Sequence, residues 1–215
     1  MTPHLVWDWN GTLLDDRTLL VESVVSLARE EGIADITAET VTARFARPLR
    51  AYFESVLERP LMSSEWAGLE RRFHDFYRAG LSGAPLVPDA RAALTMGRQC
   101  AASQSLVSLW PHAELLQAVA HHGISHLFDQ VRGRRTADAD KLTELLALLE
   151  ERQLDPDRTV LIGDTPGDAA AAAAAGMRTV LVTGASLGSL NVAGHDELGV
   201  PVVPSVAQAV ELACA

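Results

Sequence analysis

Lysine is all but missing from this sequence. Of its 18 basic side chains one is a lysine, Lys141, and the rest are arginine. Any chemistry that needs a compact ammonium rather than a planar guanidinium therefore has one candidate. Positive charge is scarce altogether: the net charge is -10 and the pI near 5.1. That argues against a nucleic-acid partner, which is normally met by a basic patch. Cysteine is limited to Cys100 and Cys214. They have no metal-ligand spacing, so the expectation is two unpaired thiols in a cytosolic protein. No apolar run approaches the roughly 18 residues that span a bilayer, and the N-terminus lacks the basic-then-apolar pattern of a secretion signal. Neither a membrane nor secretion is expected, and the cytoplasm is the expected location. Nothing in the sequence specifies an oligomeric state.

What is present is an alternation. "HLVWD" (residues 4–8) is a short apolar run ended by a polar turn, as a buried strand is. Residues 16–31 then carry Leu19, Leu20, Val24, Val25 and Leu27 at helical spacing, and Gly32 ends the pattern. Thr37 is a plausible N-cap for a helix running to about Phe45. "LRAYFESVLE" and "SEWAGLERRFHDFYRAG" read as two more helices, the latter capped by Ser63 or Ser64. Residues 16–88 thus form an all-helical block, holding four of the five phenylalanines and both tyrosines. From residue 89 onward apolar runs alternate with helices. The runs are 104–108, 128–133, 159–164, 179–184 and 200–203. The helix beginning after "GD" contains seven consecutive alanines, Ala169 to Ala175, which let it lie close to a sheet. Such βαβ alternation implies a parallel sheet with helices on both faces. Residues 1–15 belong with residues 89–215 as a Rossmann-like α/β core, and 16–88 is an all-helical cap inserted after the first strand.

Open parallel sheets bind ligands at the carboxyl ends of their strands. On this layout Asp8 ends the first strand, Ser108 the second and Asp164 the strand "TVLIG". Asp168 follows in "DTPGD", and Lys141 starts the helix before that strand. Acids gathered this closely are unfavourable unless a cation joins them. Oxygen ligands with open positions suit Mg²⁺, which shares its shell with water and substrate phosphate. Gly11, Thr12 and the following helix start can offer backbone N–H groups to an oxyanion.

"DWNGTLLD", Ser108 after "QSLV", Lys141 and "GDTPGD" resemble, in order, the four motifs of the haloacid dehalogenase superfamily. The resemblance covers nearly the whole chain; the helical block is similar to the family's C1-type cap, and the nearest-looking group is the phosphoglycolate phosphatase-like phosphatases. It implies a Mg²⁺-dependent phosphatase acting on a small phosphorylated metabolite. Asp8 would be the nucleophile, forming an aspartyl-phosphate. The backbone carbonyl of Asn10 and the carboxylates of Asp8 and Asp164 would bind Mg²⁺, with Asp168 as ligand or support. Ser108, with Ser105 as the alternative, would hydrogen-bond the phosphoryl oxygens, and Lys141 would hold nucleophile and transferring group. Arg47 and Arg50 could meet a second anionic group of the substrate; the alternative is a solvated basic helix end. His74 and Tyr77, an i, i+3 pair, read as packing or surface residues.

The resemblance also shows a departure. Family phosphatases usually carry an aspartic acid two residues after the nucleophile, as acid and then base. Here Asn10 stands there. The backbone carbonyl is kept and the proton transfer is lost. Three readings stay open: a substrate whose leaving group needs no acid, a slow enzyme with a long-lived phosphoenzyme, or a phosphate-ligand binding or regulatory protein on the same fold. Dehalogenation is disfavoured by the metal-type acids Asp164 and Asp168. Phosphonatase chemistry needs a cap lysine, and 16–88 has none. Sugar-phosphate mutases normally need the acid that Asn10 replaces.

Overall fold

The computed structural model describes residues 2–45, 48–136, 138–183 and 199–215. The chain divides into two compact units: Asp16–Pro85, and Met1–Asp15 together with Leu86–Ala215.

The second of these is an α/β unit built on one six-stranded parallel sheet. Its strands are β1 (His4–Trp7), β2 (Ser103–Pro111), β3 (Gln130–Arg134), β4 (Thr159–Gly163), β5 (Arg178–Val182) and β6 (Val202–Val203). Their order is β3-β2-β1-β4-β5-β6. β1 and β4 lie in the middle and are buried along their whole length, which is why they read as unbroken apolar runs rather than alternating ones. β2 runs three residues past its sequence-expected end at Ser108, because an irregularity between Ser108 and Pro111 lets it keep pairing with β3.

Helices cover both faces. Val6, Val107 and Leu161 form one core with Leu145, Leu148 and Leu149 of α7 (Lys141–Arg152) and Ala171 and Ala172 of α8 (Pro166–Ala174). The other face takes α5 (Ala90–Cys100), whose Gly97 has no room for a Cβ against Gln104 and Leu5. Gln104 is fully buried there and satisfied: it accepts from Trp7 Nε1 at 3.1 Å and donates to the carbonyls of Leu94 and Leu127 at 3.0 and 2.7 Å. α6 (His112–His121) follows β2.

The two cysteines overturn the expectation of unpaired thiols. Cys100 ends α5 and Cys214 ends α9 (Val206–Cys214); their Cα atoms are 6.0 Å apart and they form a disulfide. The pairing follows from two helices packed side by side, a relation that a separation of 114 residues hides.

His4 opens β1 almost entirely buried, with Nδ1 bonded to the Ser103 hydroxyl. Burial, reinforced by the charge of Arg152, pushes the imidazole down to about 4, against a smaller opposing effect of Asp129. The unfolded chain, with an ordinary imidazole, binds more protons between about pH 6.5 and that value, so stability is full above the window and is lost as pH falls through it. The expected loss from pH 7 to pH 4.5 is about 2 kcal/mol from this residue. Urea unfolding at the two pH values should show the loss shrinking by that amount in His4→Asn; an equal loss in both proteins would remove His4 as its source.

The helical unit contains α1 (Arg17–Glu30), α2 (Ala38–Ala43), α3 (Leu49–Leu57) and α4 (Ser63–Gly80). Thr37 caps α2 by accepting from Thr40 N at 3.2 Å. α4 departs from expectation: its N-cap is Met62, and Ser63 is already helical. The reason lies in the preceding residue. Leu61 is held by α3, its N–H on Glu54 Oε1 at 3.0 Å and its carbonyl on the Arg50 guanidinium, so the helical turn starts sooner. An aromatic core of Phe53, Trp66 and Phe73 lies between the helices, with ring centroids 5.5–5.6 Å apart. Tyr77 is buried, its hydroxyl on Asp16, and His74 packs edge-on against Phe73. Among the described residues no helix is long and apolar enough to cross a membrane.

Candidate active site

The sheet order reverses direction of growth at β1, so the crevice between β1 and β4 opens at their carboxyl ends. Trp7 lies opposite Ile162 in the register, and the Asp8 N–H continues the ladder to the Ile162 carbonyl at 2.9 Å. Asp8 and Asp164 therefore leave neighbouring strands at the same edge. Asp168 arrives from the first turn of α8, in a reciprocal capping box: it accepts from the Thr165 N–H at 3.1 Å and hydroxyl at 2.6 Å, while Thr165 Oγ1 accepts from the Asp168 N–H at 3.2 Å. Carboxylate oxygens of Asp8, Asp164 and Asp168 all lie within 4.8 Å of one another.

Lys141 joins them. It is the first residue of α7, whose N-cap Asp140 accepts from Thr143 N at 2.8 Å. The buried ammonium contacts Asp8 Oδ1, sits 3.1 Å from Asp168 Oδ1 and donates to the Val107 carbonyl at 3.0 Å. An ammonium has three donors, and three acceptors surround it. Burial alone would depress this lysine, but the charges of Asp168 and Asp8 more than reverse that and hold it above its ordinary value. For Asp168 burial is likewise outweighed, by Lys141 and Thr165, and it stays below the usual carboxylate range. Asp8 goes the other way. Burial pushes it up to about 6; Lys141 opposes this, and the negative charge of Asp168 adds to it. Three buried acids with one ammonium leave an excess of negative charge. That donor set, hard oxygens around a common point, fits a divalent cation such as Mg²⁺.

Asn10 is half-buried and opens a tight loop that places Gly11 at φ 78°. The loop satisfies its own backbone. Gly11 N donates to the Leu14 carbonyl at 3.0 Å, and the Thr12, Leu13 and Leu14 N–H groups all converge on the Trp9 carbonyl at 3.3, 3.0 and 2.9 Å. Gly11 and Thr12 were expected to turn these groups toward an oxyanion; here they are taken up inside the loop. The expected helix start lies farther on, at Arg17. Thr12 contributes its side chain instead, donating to Asp164 Oδ1 at 3.1 Å.

Ser108 is buried near the carboxyl end of β2, its Oγ accepting from Trp110 N at 3.1 Å. Ser105 is fully buried and opposite Val6, deeper along the strand, and its hydroxyl has no partner among the described residues. Arg50 belongs to the helical unit, where its guanidinium holds Glu54 at 3.2 Å and the Leu61 carbonyl, beside a cavity of about 700 Å³ lined also by Pro48, Trp66 and Glu70. Arg47 lies outside the described residues.

Sequence reasoning did not find the acceptor Val107, a backbone atom without a sequence signature. It also passed over Arg132 and Glu144. Both carry a signal in hindsight: a charge inside an apolar strand, and an acid one helical turn beyond the only lysine.

The chain is similar to known proteins over nearly its full length. A phosphoglycolate phosphatase of Rhodobacter capsulatus is 25% identical over 190 residues, 85% of each chain. One from Vibrio cholerae is 28% identical over 181 residues, 80% of each. Among solved structures, a haloacid dehalogenase-like hydrolase of Streptococcus pneumoniae superposes with a TM-score of 0.82 at 18% identity, covering 98% of both chains. A haloacid dehalogenase-like protein of Agrobacterium tumefaciens gives 0.80 at 21% identity, covering 99% of this chain and 97% of that one. Residues 5–182 match the model of the haloacid dehalogenase-like hydrolases. With a parallel sheet of the same architecture and its acids gathered at the β1/β4 crevice, the chain belongs to the haloacid dehalogenase-like hydrolase family.

Proposed function

We propose that the protein is a divalent-metal-dependent phosphatase of a small phosphorylated metabolite, working through an aspartyl-phosphate at Asp8. The observation that carries this reading is the convergence of Asp8, Asp164 and Asp168 on one point with Lys141 among them. The names of the relatives, phosphoglycolate phosphatases, support a small phosphorylated substrate and make phosphoglycolate the first compound to assay.

Asp8, Asp164 and the Asn10 carbonyl would hold Mg²⁺, which supplies charge neutralisation for an incoming phosphoryl group. Asp168 is better suited to support than to direct ligation, since its two oxygens already serve Lys141 and Thr165. One Asp8 oxygen accepts from Lys141, which leaves the other to attack phosphorus. A P–O bond to Asp8 forms as the ester P–O bond breaks, and the leaving oxygen departs with the electron pair. Water then attacks the phosphoenzyme, releasing phosphate and regenerating the carboxylate. Lys141 would keep Asp8 ionised and oriented for the first step and stay on its carbonyl oxygen in the acyl phosphate, ready to stabilise the carboxylate that the second step regenerates. Ser108, whose oxygen accepts from the Trp110 N–H, would donate its hydroxyl proton to a phosphoryl oxygen. Asn10 supplies no proton in the first step and takes none in the second, which favours slow turnover.

A panel of phosphorylated metabolites and an aryl phosphate, assayed with Mg²⁺ and with EDTA, tests the reading. Expected is phosphate release that requires the metal. Tight binding of a phosphorylated ligand without turnover would replace the enzyme by a binding protein.

Lys141→Arg is expected to lower kcat at least about tenfold, or roughly 1.4 kcal/mol of transition-state stabilisation. A flat guanidinium cannot reproduce a tripod of bonds to Asp8, Asp168 and the Val107 carbonyl. Steady-state kinetics indistinguishable from wild type would show that any cation suffices there.

A further inference from the structure

Lys141 has a long, flexible side chain, so its ammonium is only as well placed as the helix turn that carries it. A second charged pair fixes that turn. Arg132 in β3 and Glu144 in α7 are buried, with side chains 7% and 3% exposed, and Arg132 Nε donates to Glu144 Oε2 at 2.6 Å. The other Glu144 oxygen accepts from the Arg135 N–H at 3.4 Å, and Arg132 also meets Glu151, farther along α7, at 2.7 Å.

The connections close a ring. Lys141 Nζ donates to the Val107 carbonyl in β2. Val107 lies opposite Arg132 in the register of β2 and β3. Arg132 holds Glu144, which sits one turn after Lys141 on the same buried face of α7. Sliding α7 by one residue would turn that face by about 100° and carry the ammonium away from Asp8. Burying a charged pair contributes little net stability compared with apolar side chains of the same volume. Its use beneath the only lysine calls for another reason.

We infer that Arg132 and Glu144 are positioning residues for the reaction, setting the Lys141 ammonium against Asp8 through the first turn of α7. The kinetic consequence rests on the phosphatase reading; the placement of Lys141 does not.

The test uses Arg132→Met/Glu144→Met, which removes both charges together and leaves neither one buried alone. Its thermal melting should be close to that of wild type. kcat should fall about tenfold with KM unchanged, and the same pair of changes should cost nothing further in a Lys141→Met background. Growth on lysine ¹³C-labelled at Cε gives a protein with one labelled side chain, since Lys141 is the only lysine. Its ¹H–¹³C signal should be shifted and sharp in wild type, and move toward that of free lysine in the double variant. An unchanged Lys141 signal, or a loss of kcat that persists in full without Lys141, would overturn the inference. Failure of wild type to release phosphate from any substrate would overturn the phosphatase reading instead, and the NMR comparison would still decide the positioning.

Discussion

Asp8→Asn is expected to abolish turnover, by roughly 10⁴- to 10⁶-fold in kcat, the scale on which loss of a covalent nucleophile registers. The fold should survive it. The substituted amide would keep an oxygen for the Lys141 ammonium, and the site would lose one of three buried negative charges that share a single lysine. Burial, with the charge of Asp168 added and Lys141 opposing, pushes Asp8 up to about 6, whereas Asp168 stays below the usual carboxylate range. Removing the Asp8 charge therefore relieves the folded state, where removing that of Asp168 would not. Melting temperature should hold or rise while activity disappears, and rapid-quench labelling should find no acid-stable phosphate on the protein. Retention of more than about a tenth of wild-type kcat, in a sample of confirmed mass, would assign the nucleophile elsewhere.

The sequence made Asp8 legible because the physics there is local. A buried strand that stops at an acid, followed by a glycine turn, has little choice but to present that acid at a sheet edge. Asp164, Asp168 and Lys141 were legible for the same reason, each standing at the boundary of a strongly patterned strand or helix. Relations between distant segments were not. The Cys100–Cys214 disulfide depends on α5 and α9 packing side by side, which neither helix's own pattern specifies. Met62 as N-cap of α4 follows a Leu61 held by Arg50 and Glu54 of the preceding helix, a contact that the capping preference of Ser63 or Ser64 does not reveal. The N–H groups of Gly11 and Thr12 have the spacing of an anion cradle, yet the loop closes on its own carbonyls. Backbone hydrogen bonds of that kind leave almost no trace in residue type.

Asn10→Asp is expected to raise turnover by about a hundred- to ten-thousand-fold on alkyl phosphates, the usual worth of a positioned general acid and base. The reasoning starts from what asparagine keeps. Its backbone carbonyl is the same as an aspartate's, its loop is fixed by the Gly11 and Thr12 hydrogen bonds, and the neighbouring Asp8–Lys141 contact does not involve it. Binding and the first phosphoryl transfer should therefore survive when the leaving group is good. An aryl oxygen departs without a proton; an alkyl oxygen does not. Wild-type rates should fall steeply as the leaving group's pKa rises, and Asn10→Asp should flatten that dependence. Breakdown of the phosphoenzyme should also quicken, because a carboxylate at position 10 can take the proton of the attacking water. Deamidation is the alternative source of an aspartate here, since Asn10 precedes a glycine. That reaction needs the Gly11 nitrogen to attack the Asn10 side chain, and the folded loop has that N–H donating to the Leu14 carbonyl at 3.0 Å. Intact mass on the assayed sample should therefore show the amide in place. If protein so verified hydrolyses an alkyl phosphate as fast as Asn10→Asp does, the proton comes from another residue and position 10 is a bystander to the chemistry.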